Sequence, residues 1–363
     1  MTNPIKFGII GGGWRTTFFL QIARELPERF QVGGLLARNA EKRQALETRW
    51  GVPAYGTLDE LLRVPDLQFV VVAVSWPATP VLLKELASRT VPVLAETPPA
   101  PDLEGLISLQ PLIKAGAKIQ VAEQYQFQPL HAARLAITSS GKLGTITQAQ
   151  ISVAHGYHGV SLMRKFLGIT FDSATISAKS FNSPLVAGPD RDFHLPEQEK
   201  VETSKQVIAY LDFGGKLGVY DFTYDQYRSW VRAPRMLIRG ERGEINNTQV
   251  HYLEDFQTPI SIELQRQNAG ESGNLEGYYL KGILAGSEWI YRNPFVPGRL
   301  SDDEIAIASC LEHMARFVEG GPEFYGLAEA AQDHYLNIMI DQALTTGEPV
   351  KTSLQPWAQI TRR

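Results

Sequence analysis

Three consecutive glycines, Gly11, Gly12 and Gly13, stand directly after the mostly apolar run of residues 5–10, and Trp14-Arg15-Thr16 follows. The order predicts a buried strand, a tight glycine turn, and a helix that begins near Thr16 and carries Phe18, Phe19, Leu20 and Ile22. A chain that opens this way builds an anion site at its first turn. Backbone N–H groups point outwards at a helix start, and the helix dipole adds roughly half a positive charge there. The usual guest is a dinucleotide pyrophosphate. Gly11 is expected to make the turn and Gly13 to let the backbone approach phosphate, with Trp14 and Arg15 as further contacts. Thr16 occupies the third glycine position of the G-x-G-x-x-G pattern and is counted with them.

The rest of the first third alternates short β runs with helices. Residues 30–37 form a strand rich in Val and Leu, and Asn39 can cap a helix through about Trp50. Thr57-Leu58-Asp59-Glu60 has the form of a capping box. Residues 69–74 are continuously apolar, as a central parallel strand covered on both faces should be. A helix over 81–89, a strand over 91–95, a helix over 103–115 and a strand over 118–122 complete the series. Strands and helices alternating at these lengths imply a doubly wound parallel sheet.

After about Glu123 the pattern changes. Residues 145–153, 206–213, 216–222, 236–239 and 250–253 have the character of short strands, with Gly214-Gly215 as a hairpin turn. They predict a mostly antiparallel sheet. Residues 184–200 and 266–277 are polar or glycine-containing, expected as loops that serve as lids or oligomer contacts. Ser301-Asp302-Asp303-Glu304 opens a helix with the apolar stripe Ile307, Leu311, Met314 and Phe317, and a last helix spans about 327–345.

The bulk numbers narrow the class. A length of 363 residues suits two domains, and 44% hydrophobic with 20% charged residues describes a globular chain. A net charge of −4 gives no electrostatic case for nucleic acid or an anionic membrane. Cys310 is the only cysteine, so no intrachain disulfide and no cysteine metal cluster can form. No signal-type apolar core or membrane-length apolar run is present, so the cytoplasm is the expected location.

The glycine turn, Leu94-Ala95-Glu96-Thr97-Pro98, the segment Gln124-Tyr125-Gln126-Phe127-Gln128-Pro129, Gly141-Lys142-Leu143-Gly144 and Gly347-Glu348-Pro349-Val350 occur in an order and spacing that resembles the Gfo/Idh/MocA family. The resemblance covers nearly the whole chain. It implies an N-terminal Rossmann domain over 1–123. An α/β domain over 124–363 should carry a large, mostly antiparallel open sheet, with the last helix packing back towards the first domain. It also implies an NAD(P)-dependent oxidoreductase of sugars or cyclitols that assembles as a homodimer or homotetramer.

Departures accompany the matches. The family usually has Glu-Lys-Pro where this chain has Glu96-Thr97-Pro98. A threonine hydroxyl forms hydrogen bonds but is no practical acid or base at neutral pH. Aligned on Phe166-Leu167-Gly168, the family's catalytic histidine falls on His158, while its two acidic positions become Ala154 and Ser161. His158 is expected to exchange the substrate proton, since imidazole suits that task near neutral pH. His155, Tyr157 and Tyr125 are the other catalytic candidates. In an extended segment His155 and His158 would face opposite ways. Tyr224, Tyr227, Arg228 and Arg232 suit a sugar or carboxylated sugar, and equally an interface. No metal site is expected.

Coenzyme choice turns on Leu36-Ala37-Arg38-Asn39, where no acidic residue waits for a ribose 2′-hydroxyl. Arg38 could meet a 2′-phosphate, with Asn39 and Arg15 nearby, which favours NADP over NAD. Ser75 and Trp76 are placed beside the nicotinamide, and Glu96 and Thr97 complete the coenzyme contacts. The main expectation is hydride transfer between NAD(P) and a polyhydroxylated small molecule. Two others stay open: a redox-neutral glycoside hydrolase or lyase that keeps its NAD(P), and a non-catalytic relative that senses nucleotide or sugar.

Overall fold

The computed structural model describes residues 3–272, 274 and 277–360. The strands β1 (Ile5–Ile10), β2 (Phe30–Leu36), β3 (Ala54–Tyr55), β4 (Phe69–Val72), β5 (Val93–Ala95) and β6 (Ile119–Val121) form one parallel sheet in the order β3-β2-β1-β4-β5-β6. All four residues of β4 are buried, because helices cover both faces. On one face, Phe19, Leu20 and Ile22 of the helix Thr16–Glu25 pack with Phe7, Ile9 and Val71. The same cluster takes in Ile305, Ile307, Leu311 and Met314 of the helix Asp302–Val318, so a segment from the far end of the chain seals the first sheet. The helix Leu327–Thr346 lies mostly against the second half, with contacts to β6 and the helix Leu103–Ile107.

The second sheet has eleven strands. They are β7 (Ile146–Ser152), β8 (Thr175–Val186), β9 (Val201–Asp212), β10 (Leu217–Thr223), β11 (Arg235–Gly240), β12 (Gly243–Asn246), β13 (Gln249–Leu253), β14 (Pro259–Ala269), β15 (Tyr279–Ala285), β16 (Glu288–Arg292) and β17 (Val350–Lys351). Their order is β16-β15-β14-β13-β12-β11-β7-β10-β9-β8-β17. Among the described residues only the β7–β10 pairing of this sheet is parallel; the others are antiparallel. Gly214 and Gly215, both at positive φ, close the β9–β10 hairpin as the sequence predicts.

Several expectations are corrected. The single helix over 103–115 is two short ones, Leu103–Ile107 and Gln110–Lys114. Pro111 sits in the first turn of the second, where it has no N–H to continue the earlier ladder. β8 and β9 pair out to Val186 and Val201, which trims the loop over 184–200 to residues 187–200. Residues 266–269 of the expected second loop continue β14, and 273, 275 and 276 lie outside the described residues. Among the described residues, no helix is long and apolar enough to cross a membrane.

Candidate functional site

A cavity of about 1690 Å³ opens at the carboxyl edge of the parallel sheet and is walled on its far side by the second half of the chain. Open α/β sheets bind ligands at this edge. Gly11, Gly13, Trp14, Arg15, Arg38, Asn39, Ser75, Trp76, Glu96, Thr97, Tyr125, His155, Tyr157 and His158 all line it. Thr16 does not. Its side chain is buried at the helix start and faces the interior.

Each glycine has a separate reason. Gly11 has φ +127°, and a Cβ there would lie 2.0 Å from the Ala73 carbonyl oxygen, so only glycine fits the turn against the end of β4. A Cβ on Gly13 would meet nothing within 4 Å. The backbone at Gly13 therefore faces open cavity, as a phosphate cradle requires.

Arg15 has a different place from the one expected beside a 2′-phosphate. It turns inward, with Nε 3.0 Å from Glu96 Oε1 and Nη1 3.6 Å from Asp303 Oδ2. Desolvation alone would lower its pKa, but these two carboxylates outweigh it and hold the guanidinium charged. Glu96 is thus engaged by protein, and burial pushes its carboxyl above the usual range. Asn39 Oδ1 accepts from the Lys42 N–H and caps the helix Ala40–Trp50. Arg38 remains exposed at the cavity rim, with Lys42 one turn further on.

His158 lies in the first turn of the helix Gly156–Leu167, whose preceding residue is His155. The two histidines are one helical turn apart and share a face, their ring centroids 4.9 Å apart. The expectation of opposite faces fails because the helix starts earlier than an extended reading assumes. His158 Nδ1 lies 2.6 Å from Glu123 Oε2, with side chains 7% and 1% exposed. Burial, with Arg15 second, pushes the imidazole pKa well down, and burial pushes the Glu123 carboxyl up to about 8. The ring is therefore neutral at neutral pH. Among the described residues its Nε2 has no protein hydrogen-bond partner, and the ring lines the cavity.

A second set of polar groups adjoins this pair. Tyr227 Oη lies 2.7 Å from His155 Nδ1, accepts from the His155 backbone N–H at 3.0 Å, and is 3.1 Å from Tyr125 Oη. Burial raises the Tyr227 phenol to about 12 and lowers the His155 imidazole to about 3, so both are neutral. The Tyr157 hydroxyl donates to the Thr97 carbonyl at 3.4 Å. Tyr224 and Arg228 also line the cavity; Arg232 is not in its wall.

Sequence reasoning missed Glu123 and, within the expected loop now bounded at 187–200, the role of Arg191. Glu123 was legible only as a carboxylate at the end of an apolar strand. In the loop, Asp190 Oδ1 accepts from the N–H groups of Asp192 and His194, 2.8 and 2.9 Å away. The fold-back places the Arg191 guanidinium 3.9 Å from the Trp14 ring centroid, beside the glycine turn. The second half thereby closes over the first.

Residues 5–123 match the Gfo/Idh/MocA family model, described as an oxidoreductase family with an NAD-binding Rossmann fold. No curated protein matches the chain in sequence. Solved structures match over nearly its full length. An oxidoreductase from Agrobacterium radiobacter in complex with NAD+, L-tartaric acid and magnesium superposes with a TM-score of 0.68 at 15% identity, covering 96% of this chain and 98% of that one. The WlbA dehydrogenase from Bordetella pertussis, in complex with NADH and UDP-GlcNAcA, gives 0.63 at 16% identity, covering 97% and 100%. A myo-inositol dehydrogenase from Corynebacterium glutamicum gives 0.63 at 16%, covering 96% and 99%. These likenesses establish a shared two-part fold.

Proposed function

We propose that the chain belongs to the Gfo/Idh/MocA family, whose model matches residues 5–123, and that it transfers hydride between a nicotinamide coenzyme and a CH–OH carbon of a sugar, cyclitol or related polyhydroxylated compound. One observation carries the reading. A buried, neutral imidazole stands in the wall of the same cavity onto which the glycine turn opens.

The residues fit a dinucleotide. Gly11 supports the turn, the backbone at Gly13 is open to phosphate, and the cavity has room for coenzyme and substrate together. Arg38 and Lys42 at the rim, with no carboxylate at the end of β2, favour the 2′-phosphate of NADP. Two of the solved structures named above hold NAD+ or NADH, so coenzyme preference is a property to be measured on this chain. When bound, an oxidised nicotinamide supplies the acceptor for the hydride that leaves the carbinol carbon. His158 Nε2 takes the hydroxyl proton as the carbonyl forms. General acid–base help of this kind is worth roughly 10²–10⁴ in rate. Tyr125, Tyr227 and His155 offer neutral donors and acceptors that orient further hydroxyl groups.

The test is absorbance of reduced nicotinamide with NAD+ or NADP+ over a polyol and sugar panel. Net accumulation on some member is expected. Glycoside cleavage without net reduced coenzyme would replace the reading with a redox-neutral one. Coenzyme or sugar binding without either outcome would point to a sensor.

A further inference from the structure

Glu123 stands two residues past the last strand of the parallel sheet, and the first turn of the helix Gly156–Leu167 lowers His158 onto it. The contact joins the two halves of the chain inside the cavity wall, and it occupies the ring nitrogen that faces away from substrate space. We propose that Glu123 is the positioning residue of the reaction: its hydrogen bond to Nδ1 decides whether His158 Nε2 offers a lone pair or a proton to the substrate oxygen. The inference rests on the dehydrogenase reading above.

The chemistry follows from counting one proton. If Glu123 holds it, the carboxyl donates to Nδ1 and the neutral ring carries its hydrogen on Nε2. If the ring holds it, both nitrogens are protonated. Either way Nε2 is a donor, which suits reduction: its proton passes to the carbonyl oxygen as hydride from the reduced coenzyme reaches carbon. Once the pair loses the proton, Nδ1–H donates to the carboxylate and Nε2 has a lone pair. That form suits oxidation. The hydroxyl proton passes to Nε2, the C–H electron pair leaves as hydride to the oxidised coenzyme, and C=O forms.

The surroundings set the midpoint. Burial raises the Glu123 carboxyl to about 8, against the Tyr125 N–H, which lies 3.3 Å from Oε1. Arg15 at the glycine turn and Lys165 on the histidine's own helix favour the carboxylate, and Asp303 opposes it. Asp333, held by Arg164, approaches from the helix Leu327–Thr346, and Cys310 from the helix Asp302–Val318, its thiol held protonated by burial. Tyr157 and His155 are neutral neighbours.

The experiment is the ¹⁵N spectrum of the imidazoles in histidine-labelled protein against pH, with His158 identified by its loss in His158→Ala. Wild type should change from the Nε2–H form to the Nδ1–H form around pH 8, and Glu123→Gln, which keeps the shape, should show no such change. In turnover, the wild-type kcat for oxidation should rise through about the same pH and that for reduction should fall. Both limbs should flatten in Glu123→Gln with the KM for coenzyme held. A tautomer that ignores pH in wild type, or a step that survives in Glu123→Gln, overturns the proposal. If the tautomer step is lost in Glu123→Gln while His158→Ala turns over normally, Glu123 still sets the ring and the dehydrogenase role of His158 is what fails.

Discussion

Arg15 Nε donates to Glu96 Oε1 across 3.0 Å, tying the residue before the first helix to the carboxyl end of β5. The pair is mostly shielded from water, so removing one partner strands the other. Arg15→Ala should cost on the order of 3 kcal/mol, the scale for breaking a buried pair. Urea unfolding measures it. Because Arg15 faces Glu96 and Asp303, any loss of coenzyme affinity should be equal for NAD and NADP. A selective loss for NADP would put Arg15 back at the 2′-phosphate.

Gly11 and Gly13 should separate stability from binding. Gly11→Ala forces a Cβ into the Ala73 carbonyl at positive φ, and should cost roughly 3 kcal/mol or more in stability. Gly13→Val puts its side chain into open cavity, so stability should change by less than about 1 kcal/mol. Its coenzyme affinity should nonetheless fall at least about tenfold, since the β-carbon takes phosphate space. Thermal unfolding and NADPH fluorescence titration read the two effects. Unchanged affinity in Gly13→Val would remove the turn from the coenzyme site.

The contrast between local and distant signals explains what the chain disclosed as a string of letters. The Thr57 and Ser301 capping boxes, the Asn39 cap and the Gly214-Gly215 hairpin depend on neighbours within a few residues, and all form. So does the glycine turn. Glu123 and His158 are 35 residues apart and meet only because a strand end and a helix start converge. Arg191 reaches Trp14 across a still longer separation. The ion pairs of Arg15 were out of view for the same reason, since its partners Glu96 and Asp303 lie far along the chain. The lost acids at Ala154 and Ser161 suggested a depleted centre in the sequence, whereas the fold supplies a carboxylate from another element.

Arg38 should govern coenzyme preference. It is exposed at the rim, and no acidic side chain takes its place at the end of β2. A well-formed pair with a 2′-phosphate contributes about 1.5–3 kcal/mol, so Arg38→Ala should remove roughly 10- to 100-fold of NADP affinity and leave NAD nearly unchanged. Parallel titrations of both coenzymes on wild type and variant decide it. A wild-type preference for NAD would overturn the assignment.

Thr97 and His158 should respond unequally to substitution. His158→Ala should lower kcat by roughly 10²–10⁴-fold. Thr97→Ala removes one neutral hydroxyl and should cost about one hydrogen bond, near 1 kcal/mol or less than tenfold in rate. Thr97→Lys is the sharper comparison, because it restores the family's residue at the cavity wall. The new ammonium would find its candidate carboxylates occupied: Glu96 is held by Arg15 and Glu123 by His158. Ala154 and Ser161 offer none. A poorly paired, partly desolvated amine loses its proton more easily and adds strain to a site that already has an acceptor in His158. Thr97→Lys should therefore give no gain in dehydrogenase rate on any substrate that wild type turns over. Steady-state kinetics of the three variants on one verified substrate is the measurement. A large gain in Thr97→Lys would mean that the Glu123–His158 pair is subsidiary and that the site works best with a lysine at 97.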